Sequence, residues 1–202
     1  MAVVRSTLVL SMVACLAWAA GCAAPVESGA PADSEVATTE DAIRSEKALK
    51  AAISRTIEGV FTFSESDDDF QYVEAPLATG ERISDRAVRA KFADVIKESL
   101  DEGENQTIDQ LGVTIVDFDK WFGDPADDAT LTEPDQVAQQ KKMRTLQRLM
   151  KENLTQLKVY EYGQDTTCDG CSSDRIRVTI LVVGKSKLSN KIVGVRTFAT
   201  ET

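Results

Sequence analysis

The sequence predicts an α+β domain in which a mainly antiparallel sheet lies between two layers of helix. Three observations carry this. Apolar residues recur at helical spacing through the first two thirds of the chain, and runs at the β period fill the last third. Within those runs Leu181-Val182-Val183 and Ile192-Val193 are apolar at consecutive positions. A strand tolerates that only when both faces are covered, so helices are expected on both sides of the sheet.

Taken in order, the chain opens on an export leader. Arg5 is the first charge, the next is Glu27, and Leu8 to Ala20 is apolar apart from Ser11. That span is too short for a membrane-crossing helix and ends in small residues, as a signal peptide does. Its end, Ala19-Ala20-Gly21-Cys22, resembles a bacterial lipoprotein processing site, with Ala19 where leucine is usual. On that resemblance residues 1–21 are a lipoprotein-type signal peptide and Cys22 is the acylated residue; ordinary signal cleavage is the alternative. Ala23 after the cysteine then implies the outer membrane or envelope. Without acylation the product is periplasmic or secreted. Residues 22–40 are rich in Ala, Pro, Gly, Ser and acids, the composition of a flexible tether. Residues 41–202 form the domain.

Thr38 with Asp41 is a weak capping signal for a first helix carrying Ile43, Leu49, Ala52, Ile53 and Ile57, ended by Gly59. Val60 to Phe63 alternates as a short strand. Gln71 to Leu77 reads as a second strand. Ser84-Asp85 caps a helix with the stripe Val88, Phe92, Val95, Ile96 and Leu100, which runs up to Gly103. Gly112 to Asp117 is a short strand, and Asp117 to Phe122 gathers three aromatics into a turn or short helix. Asp124 to Glu133 reads as a polar loop. Pro134 opens a long helix with Leu146, Leu149, Met150 and Leu154 inward. Met143 and Met150 are core filler. Strands follow at Leu157–Tyr162, Arg175–Val183 and Lys191–Thr200.

Composition limits the chemistry. The 202 residues carry 33 acids, 23 bases and no histidine, a net charge of −10. An acidic surface repels nucleic acid and anionic lipid, so the expected partner is a basic protein or a cation, with membrane contact only through a lipid at Cys22. Without histidine there is no Ser-His-Asp or Cys-His nucleophile and no His-ligated zinc. No cofactor is expected. Cys168 and Cys171 are two cysteines in an exported domain, too few for a zinc site, and a local disulfide is the default. So small a ring adds little loop-closure entropy and serves to stiffen the hairpin end.

The densest functional signal is Phe63-Ser64-Glu65-Ser66-Asp67-Asp68-Asp69-Phe70, four carboxylates and two hydroxyls between two phenylalanines. Its plainest reading is a solubilising turn. Held between buried aromatics, it becomes a fixed display of negative charge. The last predicted strand runs almost to Glu201-Thr202, so a second carboxylate display is expected at the chain end.

These residues resemble the nuclease A inhibitors, proteins that block a secreted, sugar-non-specific, magnesium-dependent nuclease of the ββα-metal class. The resemblance is carried by Phe63-Ser64-Glu65-Ser66, Val116 to Phe122, Lys151 to Leu154 with Val159-Tyr160, and Gly194 with Glu201-Thr202. It implies an α-β-α sandwich similar to plant pathogenesis-related proteins, and an inhibitor rather than an enzyme. The inhibitor plugs the active site as an acidic substrate mimic. Glu65 would reach the target's magnesium site and the terminal carboxylate of Thr202 would engage the metal. Ser64, Ser66, Asp67, Trp121 and Glu201 would complete the contact with a secreted or periplasmic nuclease. The chain departs from the family pattern in a longer segment between Leu77 and Leu111, in the Cys168/Cys171 loop and in the leader. It also lacks a tryptophan near Leu131, although Trp121 is close in sequence. Three other readings are open. One is a hydrolase pairing Glu65 with Asp67, Asp68 or Asp119. The others are a cation-binding lipoprotein using Asp67-Asp68-Asp69 and a redox lipoprotein using Cys168 and Cys171. The Asp run lacks the alternating spacing of an EF-hand loop.

Overall fold

A computed structural model describes residues 43–61, 68–100, 107–163 and 176–201. The leader, Cys22, the tether, Ser64, Glu65, Ser66, Asp67, Cys168, Cys171 and Thr202 lie outside the described residues. The elements are α1 (Glu46–Ile57), β1 (Gln71–Pro76), α2 (Asp85–Lys91), α3 (Ala93–Ile96), β2 (Gly112–Val116), α4 (Phe118–Phe122), α5 (Pro134–Asn153), β3 (Leu154–Gly163), β4 (Ile176–Ser186) and β5 (Lys191–Glu201).

The five strands form one antiparallel sheet in the order β1-β5-β4-β3-β2. The apolar pairs in β4 and β5 do what the sequence requires of them. Val182, Val193 and Val195 face one core with Leu49 and Ile53 of α1, Phe118 and Phe122 of α4, and Leu146 and Met150 of α5. Leu181, Val183 and Ile192 face the other, against Val88 of α2, Phe92 and Ile96 of α3. The three layers are therefore α1/α4/α5, sheet, and α2/α3. Gly194 lies between, paired with Val183 on β4 and Val73 on β1. A Cβ there would come within 2.0 Å of the Val182 carbonyl oxygen, so only glycine lets β4 and β5 approach this closely.

Several local expectations change. The first helix starts at Glu46, where the Ser45 hydroxyl accepts from the Ala48 amide at 3.1 Å, and the Thr38/Asp41 signal does not begin it. Gly59 ends it at φ +64. Of the expected Val60–Phe63 strand, Phe61 forms an isolated antiparallel bridge with Asp69, and Thr62 and Phe63 lie outside the described residues. β5 lies between β4 and β1, and β1 pairs with it from Gln71 to Pro76. The second helix bends at Phe92 into α2 and α3, while Phe92 and Ile96 keep their helical hydrogen bonds. The bend leaves Val88, Phe92 and Ile96 all buried, so the predicted stripe survives it. Residues Pro125–Thr130 form a 3-10 helix within the predicted loop. Leu154 is already strand: α5 passes into β3 with no linker, and a bulge between Thr155 and Lys158 absorbs the change of direction, with Gln156 at φ 54.

Two consequences can be measured. Gly194→Ala should destabilise the domain by about 3 kcal/mol in urea unfolding, because backbone rather than a flexible side chain blocks the methyl. The three tyrosines, Tyr72, Tyr160 and Tyr162, all have pKa values raised above the free value of 10.0, chiefly by burial. Glu74 adds to the rise at Tyr72, and Asp85 at Tyr160 and Tyr162. A raised folded value favours the native state fully below pH 10.0 and loses that contribution as pH climbs above it. Phenolate absorbance should therefore rise at a higher pH than for free tyrosine, together with loss of the circular dichroism signal.

Candidate functional site

The acidic stretch is described through its two flanks, and both are fixed. On the entry side, α5 holds the end of α1: Gln139 Nε2 donates to the Gly59 carbonyl at 2.9 Å and Lys142 Nζ to the Glu58 carbonyl at 2.6 Å. Val60 is buried next to them, and its carbonyl accepts from the Phe70 amide at 3.1 Å. The exit side is held by β5. Thr197, fully buried, donates its hydroxyl to the Asp68 carbonyl at 3.0 Å. With the Phe61–Asp69 bridge, these bonds fix the described residues on either side of 62–67.

Phe70 anchors the exit side in the core, 5% exposed, and Trp121 meets it edge to face at 6.4 Å between centroids. A predicted contact residue thus stands beside the root of the acidic stretch. Local chemistry places it there. Asp117 caps α4 by accepting from the Asp119 and Lys120 amides at 2.9 and 3.1 Å. Phe118 and Phe122 turn inward, and Gly123 at φ +73 ends the helix. The tryptophan ring packs at 87° to Phe122, which fixes its plane. Arg144 of α5 grips Asp128 through two nitrogens at 2.7 and 2.8 Å and also donates to the Gly123 carbonyl at 3.0 Å.

The far end of β5 completes the site. Its register with β1 pairs Arg196 with Gln71, and the two strands run antiparallel. Stepping back from Gln71 to Asp68 therefore moves in the direction that β5 takes from Arg196 to Glu201. The flank of the acidic stretch and the end of the last strand lie at one end of the sheet. Arg196 ties this end together, donating to Gln71 Oε1 at 2.7 and 3.0 Å and to Glu98 Oε1 at 2.9 Å. Glu201 is still in the ladder, opposite Ile176.

Other predicted groups fall elsewhere. Asp119 is exposed and ion-paired to Lys151, with Gln147 donating to it at 3.0 Å. The Lys151 hydrogen bond lowers its pKa and keeps the carboxylate charged, which argues against Asp119 as the acid member of a carboxylate pair. Among the described residues no group of three or more Cys, Asp or Glu side chains is arranged to hold a metal ion.

The sequence reading missed the residues that hold the flanks. Their signals were present: Gln139 is seven positions before Leu146, a polar residue on the inward stripe of a helix. Thr197 continues the inward alternation of Val193 and Val195. A polar residue at a core position needs a partner, and a nearby loop carbonyl is a frequent one.

No curated protein matches the chain. The model of the nuclease A inhibitor-like protein family matches residues 47–202, leaving out residues 1–46. From the first turn of α1 onward, the chain belongs to the nuclease A inhibitor-like family.

Proposed function

We propose that this protein is an exported inhibitor of a sugar-non-specific, magnesium-dependent nuclease, and that it blocks the active site as an acidic mimic of the substrate. The observation that carries the reading is the Thr197–Asp68 bond, which ties the root of the acidic stretch to the strand ending at Glu201. Three residues of chain reach no more than about 11 Å, so Glu65 stays within that distance of Asp68. In this reading segments 64–67 and 201–202 act on the target together, because their described neighbours Asp68 and Glu201 lie at one end of the sheet.

The chemistry follows from the target. A nuclease groove is basic and holds a hard cation that prefers oxygen ligands. Carboxylates at Glu65 and Thr202 offer such oxygens in place of phosphodiester oxygens, yet present no bond to cleave. The net charge of −10 speeds encounter with a basic groove. Fixed flanks lower the ordering cost of binding. Acylation at Cys22 would keep the inhibitor at the envelope, where an exported nuclease meets it.

Three measurements test this by titrating a ββα-metal nuclease with the purified protein. Glu65→Ala should weaken inhibition at least about 30-fold, the effect of removing a central interface anchor, with circular dichroism unchanged. A peptide added after Thr202 should weaken it similarly; full potency with such an extension removes Thr202 from the contact. Thr197→Val should cost about 1 kcal/mol of stability through one lost hydrogen bond. It should also reduce inhibition about tenfold, with Thr197→Ser restoring both. Stoichiometric inhibition that is indifferent to all three changes would place the contact on another surface.

A further inference from the structure

The sheet has two edges, and they are built differently. At β1, Glu74 is held by Lys191 at 2.9 Å and Lys50 at 3.4 Å, and the strand ends in Pro76. The Lys191 hydrogen bond lowers the Glu74 pKa, keeping the carboxylate charged. Charges and a proline on an edge strand discourage pairing with another chain. At the opposite edge, β2 reads Gly112-Val113-Thr114-Ile115-Val116 and is the one strand of the five with no charged side chain. It contains no proline. Its outer side has no strand partner among the described residues, and Ile115 is 50% exposed. Such an edge presents a row of unpaired amides and carbonyls that another strand can take up.

We propose that β2 is a self-association edge, where a second copy of this chain adds its own β2 antiparallel about a two-fold axis at Thr114. The strand's own sequence selects that occupant. Centring the pair on Thr114 sets Thr114 against its symmetry mate, a favourable cross-strand pair, and Val113 against Ile115 of the second copy. Gly112 then opposes Val116, so small meets branched and no charge opposes a charge. This matters for a chain at net −10, whose copies otherwise repel. The flanking Asp117 residues of the two copies end up about 20 Å apart, beyond the ~8 Å over which salt leaves charges in contact. An isologous contact of this kind closes as a dimer and does not propagate. It joins two five-stranded sheets into one, and leaves β1 and the flanks of the acidic stretch on the outer side of each copy.

Sedimentation equilibrium of the full chain, from micromolar to submillimolar concentration, tests the proposal. The expected result is a mass rising toward twice that of one chain. Thr114→Lys sets like charges face to face at the axis and should weaken dimerisation at least tenfold, whereas Glu74→Gln on the other edge should leave it unchanged. Circular dichroism of Thr114→Lys should match the parent, since Thr114 is exposed. A mass that stays monomeric throughout overturns the proposal. So does association that survives Thr114→Lys, the result expected if acyl chains or another surface drive it.

Discussion

Burial of β4 and β5 on both faces is the constraint from which the rest of the domain follows. Two adjacent strands whose neighbouring residues point into opposite cores cannot be satisfied by helices on one side. The chain accordingly supplies α1, α4 and α5 to one face and α2 and α3 to the other. Close approach of the central strands is what makes these cores tight, and it depends on the missing side chain at Gly194. Burial of this kind gives on the order of 25 cal/mol for each Å² of apolar surface removed from water, so the central strands dominate stability.

That same constraint organises the candidate site. A strand fixed on both sides is a rigid rail, and Thr197 sits on it with its hydroxyl turned to the Asp68 carbonyl. Gln139 and Lys142 perform the matching task from α5. The acidic stretch is thus rooted in a helix on one side and in the sheet on the other. Trp121 reaches the same root through Phe70, although α4 follows β2 at the far edge of the sheet in the strand order. The intervening distance is bridged by aromatic packing of Phe118, Phe122 and Trp121 across one face of the sheet.

Much of this was legible in the residues, for reasons that can be named. Three central strands, the long helix from Pro134 and the Ser84 cap all follow from local rules of period, capping and proline placement. What sequence could not give was pairing between distant segments. The residues offer two strands, Val60–Phe63 and Gln71–Leu77, and alternation alone does not say that the second is the one paired with β5. The start of α1 moved from Thr38 to Ser45 because capping residues are frequent in any polar lead-in, and only the hydroxyl that meets an amide counts. Gln139 and Thr197 were passed over because their partners, Gly59 and Asp68, are 80 and 129 residues away.

The Phe61–Asp69 bridge has a bearing on how such a protein can change over generations. Once the two ends of a segment are pinned, doubling the number of residues between them costs only about 0.6 kcal/mol. Selection can therefore alter that short span while the scaffold is inherited whole, and divergence should concentrate there.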